Sequence, residues 1–390
     1  MDKKVLIFME SHYLKPIGGP AGYLYNLKTE LDRRKINNVS FIEVENSKRS
    51  TYKKVFEKLP KRLKTQYHIN KRRKERRFLL SDSQKLTNIN LNNYDIVHFH
   101  STFKLYSIKD SLKNFKGKVI LTSHAPKPSY LEYMDKASSE ELKRYKEEFE
   151  SLSKIEKYAF ERADYIFFPC SEAEEPYINN WDEYLDIKER SREKYRYLLS
   201  GIKPCEVKNK DIRKHYDIPN DALLISYVGR HNETKGYDKL KIIGEKLLTE
   251  NGNIYFIVAG KEEPLAGLQH ERWIEVGWTS DPHSIIGASD IFVLPNKETY
   301  FDLVMLEVLS LGKLVVASNT GGNKFFNKDD IEGIFLYNDI DEAVKKIKNI
   351  MKMTNEDRNN KEQANKRLYQ TYFNNEVFCE NYLSLLKSLD

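Results

Sequence analysis

The sequence predicts an α/β protein with two domains, and three observations lead to this prediction. The chain of 390 residues has the length of two domains of ordinary size. Short apolar runs, typical of buried strands, alternate with helical patterns, and this alternation predicts parallel sheets. Residues 198–204, which read LLSGIKP, interrupt the pattern with a glycine and a proline, as a linker does. We therefore predict domains at 1–200 and 201–370, followed by a terminal helix at 371–390.

Composition indicates a protein with ordinary hydrophobic cores in a reducing compartment. Hydrophobic residues make up 40% of the chain, and no window approaches the roughly eighteen apolar residues that cross a membrane. The three cysteines are far apart and form no CxxC pair, so neither a disulfide framework nor a zinc site is predicted. The first apolar run, residues 5–9, is too short for the core of a signal peptide. We therefore predict a cytoplasmic protein whose first strand lies at residues 5–9.

A glycine turn joins the first predicted strand to the first helix. Gly18 and Gly19 lie between that strand and the helical pattern that begins at Tyr23. In many α/β folds such a turn lets the backbone approach a phosphate or a sugar, although glycines also serve simply to form turns. The spacing does not match GxGxxG, so a dinucleotide site is not predicted here.

A strongly basic segment occupies residues 48–80. Between Lys48 and Arg77 the chain holds fourteen lysines and arginines against two glutamates, whereas the net charge of the whole chain is only +7. Apolar side chains recur there at helical spacing, which indicates a basic amphipathic helix. This helix either contacts an anionic membrane surface or a polyanionic acceptor, or packs its apolar stripe against its own domain. No nucleic-acid recognition motif accompanies the charge, so nucleic acid is not expected as a partner.

Histidines stand at the ends of two further predicted strands of the first domain. His100 ends one of them, and His124 follows the strand at residues 119–122. Sheets of α/β proteins bind ligands at the carboxyl ends of their strands, so both histidines are candidates for a cleft, with His100 on the acceptor side. His98 lies within its strand and is expected to be structural. Residues 138–162 then predict one amphipathic helix that packs in the core.

The second domain begins with the most specific motif of the chain. A predicted strand at residues 223–228 leads into Arg230, and Lys235 follows five residues later, each beside a glycine. A planar guanidinium and an ammonium point charge just past a strand end suit a diphosphate. Two such cations can stabilise a diphosphate leaving group while charge develops on it, as a metal ion would.

Another strand end in this domain has the features of an anion site. The apolar run at residues 291–294 ends in a polar turn, and a short helical pattern follows that contains Glu307 and stops at Gly312. The first turn of a helix presents unpaired N–H groups and the positive end of the dipole, which favour an anion. A carboxylate one turn inside, such as Glu307, can accept hydrogen bonds from the two hydroxyls of a ribose. The glycine pair at residues 321–322 makes a turn where backbone approaches a ligand closely.

These motifs resemble those of the retaining glycosyltransferases of family 4, which have the GT-B fold. Residues 229–236 match that family's Gly-Arg-(four residues)-Lys-Gly motif in full. Glu307 matches the second glutamate of the family's donor signature, in which two glutamates are separated by seven residues. Thr299 occupies the position of the first glutamate, with Glu298 one residue too early, and Asp302 replaces a glycine of the family.

The resemblance implies a role for each candidate residue. The diphosphate is bound by the two cations, the ribose by the matched glutamate, and the donor sugar by a histidine and the turn after residue 297. The residues implied to act in catalysis are His124, Arg230, Lys235 and Glu298. The residues implied to bind the donor, through side chains and N–H groups, are Gly18, Gly19, Thr299, Tyr300, Phe301, Asp302, Leu303, Val304 and Glu307.

The resemblance also implies an architecture and a reaction. Two Rossmann-like domains face each other across a cleft, and the C-terminal helix crosses back to the first domain. A sugar passes from a nucleotide diphosphate sugar, with a UDP-sugar favoured, to a hydroxyl of a glycan or lipid-linked acceptor in cell-surface polysaccharide biosynthesis. The family's mechanism is front-face, with the departing phosphate assisting deprotonation of the acceptor and no covalent intermediate. No cofactor is expected beyond the donor and, without a DxD motif, no metal.

Two other functions stay open on the sequence alone. The shifted glutamate and Asp302 are compatible with a non-catalytic module that binds polyanions or membranes on a degenerate GT-B scaffold. A GT-B sugar-nucleotide epimerase would change the donor without an acceptor. The basic segment at residues 48–80 favours an acceptor at the inner face of the membrane, with a peripheral contact to anionic lipid.

Overall fold

Two sheets of six parallel strands each form the centre of the protein. The computed structural model describes residues 3–8, 14, 19–42, 60–81, 89–328 and 331–390. The first sheet contains β1 Val5–Phe8, β2 Val39–Ile42, β3 Ile96–Phe99, β4 Lys118–Thr122, β5 Tyr165–Phe168 and β6 Tyr195–Tyr197. The second contains β7 Leu223–Val228, β8 Ile254–Ala259, β9 Trp273–Gly277, β10 Ile291–Leu294, β11 Leu314–Ser318 and β12 Ile334–Tyr337. Their orders are β2-β1-β3-β4-β5-β6 and β12-β11-β10-β7-β8-β9, which confirms the predicted α/β class.

Helices form the crossover connections that parallel neighbouring strands require. Those of the first half are α1 Gly19–Arg33, α2 Lys61–Leu80, α3 Thr102–Ser107, α4 Lys109–Leu112, α5 Ser129–Met134, α6 Ser139–Arg144, α7 Lys146–Arg162, α8 Glu175–Asn180 and α9 Tyr184–Glu189. Those of the second half are α10 Ile212–His215, α11 Tyr237–Glu250, α12 Pro282–Ala288, α13 Leu303–Ser310, α14 Ile340–Met351, α15 Asn355–Leu368 and α16 Asn375–Ser388. Within the described ranges, no helix combines the length and the apolarity needed to cross a bilayer.

Both faces of each sheet are buried, because successive side chains of a strand point to opposite sides. In β1, Leu6 and Phe8 join one hydrophobic cluster, and Val5 and Ile7 join another. The cluster that contains Phe8 continues through Tyr300 into the second domain. The two domains therefore share apolar packing where they meet.

The terminal helix α16 lies against the first domain, as the predicted architecture requires. Phe378 packs its ring against Tyr23 of α1, with ring centroids 4.8 Å apart. Arg34, just after α1, forms an ion pair of 2.9 Å with Glu380. These contacts bring the end of the chain back to the sheet at which it started.

Three histidines are packed under α16 at the carboxyl ends of β3 and β4. His98 contacts the Tyr382 hydroxyl at 3.0 Å through Nδ1 and the Thr122 hydroxyl at 2.8 Å through Nε2. His100 Nδ1 lies 2.8 Å from His124 Nε2, and their rings stack. Burial lowers the pKa of His98 and of His124 to about 3 and holds the pKa of His100 well below its ordinary value. His98 is structural, as expected, and His100 is buried behind His124.

The prediction of a single helix at residues 138–162 is wrong, because the structure has two helices there, α6 and α7. Tyr145, between α6 and α7, has φ −121° and ψ 32°, outside the helical range. The guanidinium groups of Arg73 and Arg76 lie over the Tyr145 ring, 4.3 and 5.1 Å from the ring centre. The break lies where α2 packs against this region. Periodicity within residues 138–162 carries no information about that contact.

The basic helix α2 turns several of its arginines toward its own domain. Arg76 is fully buried, bonds Glu141 at 2.8 Å and lies 4.2 Å from the ring centre of Phe149. Arg72 also forms an ion pair with Glu141. Glu148 forms ion pairs with Arg73 and Arg76. Two carboxylates of its own domain thus pair with arginines on the inner side of α2. The part of the segment at residues 48–59 lies outside the described residues.

The buried pair of Arg76 and Glu141 should dominate the attachment of α2. Replacing Arg76 with alanine leaves a fully buried carboxylate with one partner fewer, a change that typically costs about 3–5 kcal/mol. We expect the midpoint of thermal unfolding to fall by several degrees, measured by calorimetry. The control is Arg77→Ala, since Arg77 is 64% exposed and bonds Glu148 from the surface. Equal midpoints for the two variants would contradict the assignment.

The three histidines should make the protein sensitive to acid. Their folded pKa values lie below the ordinary value of 6.5, so the unfolded chain binds more protons as the pH falls through 6.5. The stability that depends on these neutral histidines is therefore present above pH 6.5. At pH 5.5, each histidine that stays neutral in the folded state lowers the free energy of unfolding by about 1.4 kcal/mol. His98→Asn should lower the midpoint at pH 7.5 but reduce the further loss of stability between pH 7.5 and pH 5.5 by about 1.4 kcal/mol, the share of one histidine. Exposed His215→Asn serves as control, and an undiminished fall in the His98 variant would refute the explanation.

Candidate active site

The loops after β7 and β10 meet at the point where the strand order of the second sheet reverses. β10 pairs with one side of β7 and β8 with the other, so their crossovers run in opposite directions and leave a crevice between the loops. The Lys297 N–H donates to the Thr234 carbonyl at 3.0 Å and joins the loops. Gly236 has φ +67°, and a Cβ there would lie 1.7 Å from the Pro295 carbonyl oxygen. Only glycine permits this approach, so the second glycine of the motif has a structural cause.

The predicted cations Arg230 and Lys235 both lie at this junction, in different electrostatic states. Arg230 is exposed, and its guanidinium has no hydrogen bond or ion pair among the residues that the structure describes. The Lys235 ammonium donates to both carboxylate oxygens of Asp302, at 2.6 and 2.7 Å. The Asn296 amide donates to the same carboxylate at 2.7 Å. Burial alone would raise the pKa of Asp302, but Lys235 and Asn296 outweigh it and hold that pKa below its usual value.

Helix α13 begins at this ion pair. Asp302 is its N-cap residue, yet its carboxylate makes no capping hydrogen bond because it faces Lys235. Leu303 and Val304, in the first turn, have no carbonyl one turn earlier to bond, so their N–H groups remain available to an anion. The buried Oδ1 of Asn296 also has no hydrogen-bond partner among the described residues. The Thr299 hydroxyl is buried as well, and it acts on the Asp302 carboxylate, whose pKa it helps to lower. Several polar groups at one helix start are therefore available to a ligand.

The side chains of the predicted donor-binding turn do not all face the crevice. Tyr300 and Phe301 are 7% and 8% exposed. Tyr300 packs on Phe168 of the first domain, and Phe301 stacks on Phe326. Interdomain packing and the core occupy these two side chains, so the prediction that they bind a donor rests on their backbone N–H groups. Glu298 accepts a hydrogen bond of 3.0 Å from Asn180 of the first domain.

Glu307 lies in the second turn of α13, at the side of the crevice. Its Oε2 is 3.8 Å from Nε2 of His283, on α12. Contacts with the Cys205 side chain and with Glu307 raise the pKa of His283 to about 10. A protonated His283 orients the Glu307 carboxylate while leaving oxygen lone pairs for other donors.

The first domain supplies the opposite wall. The rings of His124 and Tyr300 form a T-shaped contact, with centroids 6.1 Å apart. His124 therefore lies at the boundary between the domains. Its Nε2 is engaged by His100, which leaves Nδ1 for the cleft. Gly19 begins α1 with φ +70° and open space around its Cα. Gly18 lies outside the described residues.

Two polar residues that sequence reasoning missed join the domains beside the site. Glu175, at the start of α8, accepts from the Gly321 N–H at 3.1 Å and the Thr320 hydroxyl at 3.3 Å, and it pairs with Lys324. Asn180 ends the same helix and bonds Glu298. Nothing in the local pattern of this helix identifies these partners, which lie more than a hundred residues away in the chain.

Comparison with known proteins agrees with this geometry. The family model described as "Glycosyl transferases group 1" matches residues 208–367. The O-antigen biosynthesis glycosyltransferase WclY of Escherichia coli is 31% identical over 137 residues, and the match covers 32% of this chain and 38% of the length of WclY. The matched part thus spans well under half of that relative.

Solved structures resemble the whole chain. Sucrose-phosphate synthase of Thermosynechococcus elongatus superposes with a TM-score of 0.65 and 16% identity, covering 99% of this chain and 98% of that one. HepE of Anabaena, solved in complex with UDP-glucose, gives a TM-score of 0.63 and 14% identity, covering 99% and 100%. Residues 208–367 are therefore similar to the group 1 glycosyl transferases, and the chain as a whole has the GT-B fold.

Proposed function

We propose that the protein is a retaining glycosyltransferase that moves a sugar from a nucleotide diphosphate sugar to a hydroxyl of a glycan or lipid-linked acceptor. The observation that carries the proposal is the junction of the β7 and β10 loops. It brings Lys235, which shares its loop with Arg230, to the start of α13, with the Glu307 carboxylate on the next turn. Positive charge, free N–H groups and a carboxylate in this order suit a diphosphate followed by a ribose.

The comparisons support the class of donor and acceptor. HepE was solved with UDP-glucose, and WclY acts in O-antigen biosynthesis. By extension we assign a UDP-sugar as donor and a cell-surface polysaccharide as the product to which this reaction contributes. The reaction would then take place in the cytoplasm, where nucleotide sugars are available.

The proposed reaction breaks one bond and forms one on the same face of the sugar. The bond between the anomeric carbon and the β-phosphate oxygen breaks, and the anomeric carbon bonds to the acceptor oxygen. The acceptor proton passes to the departing phosphate, so no side chain is needed as nucleophile. Arg230, Lys235 and the first N–H groups of α13 stabilise the charge that develops on the diphosphate. Because these groups supply positive charge, we propose that transfer needs no metal ion. In this proposal His124 and Glu298 lie beside the donor sugar.

The outward face of α2 supports a peripheral contact with an anionic membrane. Leu63, Tyr67 and Phe78 are 54%, 52% and 60% exposed. Helical spacing puts them on one face together with Lys71 and Lys74, opposite the arginines that pair with Glu141. Apolar side chains flanked by lysines suit insertion among anionic lipid headgroups, where a lipid-linked acceptor would be met.

The ion pair of Lys235 with Asp302 favours a second candidate, a non-catalytic module on the same scaffold. A lysine that stays bound to an internal carboxylate contributes nothing to a diphosphate. Such a module would bind polyanions or lipid through α2 and release no nucleotide from a donor. A sugar-nucleotide epimerase is the third possibility, and it would release nucleotide or an altered donor without any acceptor. A reaction that requires an acceptor therefore distinguishes a glycosyltransferase from an epimerase.

Lys235 should control the binding of nucleotide. We expect UDP, within a panel of UDP, GDP, ADP and CMP, to raise the thermal unfolding midpoint of the wild type, because it binds only the folded state. Lys235→Ala should weaken UDP binding at least tenfold and abolish most transfer, since a charge-assisted contact is lost. Asp302→Asn keeps the lysine but removes the competing charge, so its UDP shift should equal or exceed that of the wild type.

The matched control for this experiment is Lys348→Ala. Lys348 also pairs with a carboxylate, Glu250, but at the ends of α14 and α11, on the amino-terminal edge of the sheet. It should leave the UDP shift unchanged. Near-normal transfer by Lys235→Ala would refute the assignment of the diphosphate site.

The outward face of α2 should govern membrane binding. Serine at Leu63, Tyr67 and Phe78 together should reduce binding to phosphatidylglycerol vesicles at least tenfold, because three half-exposed apolar side chains no longer enter the lipid. Sedimentation with vesicles measures this, and added salt should weaken wild-type binding. The matched control carries serine at the exposed Leu185, Ile242 and Tyr372. Equal losses in both triple variants would count against a specific face.

A further inference from the structure

Two residues, Tyr227 and Asn232, hold the backbone of the loop that carries Arg230 and Lys235. The Tyr227 hydroxyl, at the end of β7, donates to the Arg230 carbonyl at 2.9 Å. Asn232 lies between the two cations in the chain, and its N–H donates to the same carbonyl at 3.0 Å. The Arg230 backbone is therefore held by two donors, whereas its guanidinium is exposed to the crevice.

The Tyr227 side chain is fixed in place under the loop. It is buried, and burial raises the pKa of its hydroxyl, so the hydroxyl keeps its proton and acts as a donor. Its ring lies against that of Tyr237, with centroids 5.6 Å apart. A Cβ at Gly229 would lie 2.7 Å from the Tyr227 hydroxyl oxygen, so a side chain there would push the hydroxyl away from Arg230. The first glycine of the motif therefore leaves room for this hydrogen bond.

Asn232 connects the arginine to the lysine. Its Oδ1 accepts from the Lys235 N–H at 2.9 Å, as asparagine side chains do when they close a turn. Its carbonyl accepts from the Tyr237 N–H at 3.2 Å, at the start of α11. Asn232 thus bonds the backbones of both cation-bearing residues, Arg230 through its N–H and Lys235 through its side chain. These bonds set the separation of the two backbones before any ligand is present.

We propose that Tyr227 and Asn232 are positioning residues for the diphosphate, an inference that rests on the proposed function. Tyr227 acts through Arg230, and the Asn232 side chain acts through Lys235. A diphosphate gains most when it engages both cations at once. A loop whose backbone is already fixed loses less conformational entropy on binding, so the affinity is higher. Neither residue touches the ligand in this scheme, and each affects affinity through one cation only.

The experiment titrates the full chain with UDP in a calorimeter. Tyr227→Phe and Asn232→Ala should each weaken UDP binding about fivefold, the usual effect of one lost hydrogen bond. Asn232→Ser should stay within about twofold of the wild type, because a serine hydroxyl can also accept from the Lys235 N–H and close the turn. The unfolding midpoint of each variant shows that it is folded.

Two matched controls remove hydrogen bonds of the same kinds outside the crevice. Tyr133→Phe deletes a hydroxyl that donates to the Arg72 carbonyl at 2.8 Å, between α5 and α2. Asn251→Ala deletes a side-chain oxygen that accepts from the Asn253 N–H at 2.8 Å, just before β8. Both controls should leave UDP affinity unchanged.

Double-mutant cycles distinguish positioning from a general loss of structure. Tyr227→Phe should change UDP affinity less than about twofold when Arg230 is already alanine, but should keep its full effect when Lys235 is alanine. Asn232→Ala should show the reverse pattern. A general loss of structure would lower UDP affinity to the same extent in both backgrounds, and this result would overturn the proposal.

The outcomes separate this inference from the proposed function. If UDP binds the wild type in a Lys235-dependent way and binds Tyr227→Phe and Asn232→Ala equally well, the positioning proposal alone is overturned. If Asn232→Ala does not fold, the cycle of Tyr227→Phe with Arg230→Ala decides, because that tyrosine variant loses only one oxygen atom. If UDP does not bind the wild type, the proposed function fails and the positioning proposal with it.

Discussion

Close backbone contacts around the turn at residues 295–302 hold the candidate active site together. The Pro295 carbonyl lies against Gly236, and the Thr299 carbonyl lies where a Cβ of Gly321 would stand 2.0 Å away. Gly321 also has φ +46°, a conformation that side chains disfavour. Three loops from separate crossovers can meet only because these positions carry no side chain. The cation at Lys235, the carboxylate at Asp302 and the start of α13 owe their separations to this packing.

The same turn also joins the two domains. Tyr300 packs on Phe168 and its hydroxyl reaches the Phe167 carbonyl at 3.4 Å, while Glu298 bonds Asn180. Just beyond, Glu175 holds the turn that begins at Gly321. The residues at the start of α13 and the contacts between the domains thus belong to one turn, so a ligand that moved the turn would also change the interdomain contacts.

The sequence predicted the parts of the site that depend on local chemistry. The Arg230 and Lys235 motif, the strand ends and the helix that carries Glu307 follow from residue types at short spacing, and the structure brings them to one crevice. The pairing of Lys235 with Asp302 crosses 67 residues, and the burial of Tyr300 depends on the other domain. The inward arginines of α2 likewise depend on carboxylates of other helices. Charge and periodicity indicate that such groups need partners, but only the packing identifies them.

Asp302 gives the crevice a selectivity that the sequence motif alone would not have. In the empty site its carboxylate satisfies the Lys235 ammonium, so a ligand gains from Lys235 only by outcompeting or sharing that contact. A neutral sugar cannot do so, and a singly charged phosphate ester competes on roughly equal terms. In the proposed site a diphosphate would bring more negative charge and would also engage Arg230 and the N–H groups of α13, which would compensate for its repulsion from Asp302. On the proposed function, the internal ion pair raises the charge that a ligand must carry before it is bound, and this favours a diphosphate over a neutral sugar or a singly charged phosphate ester.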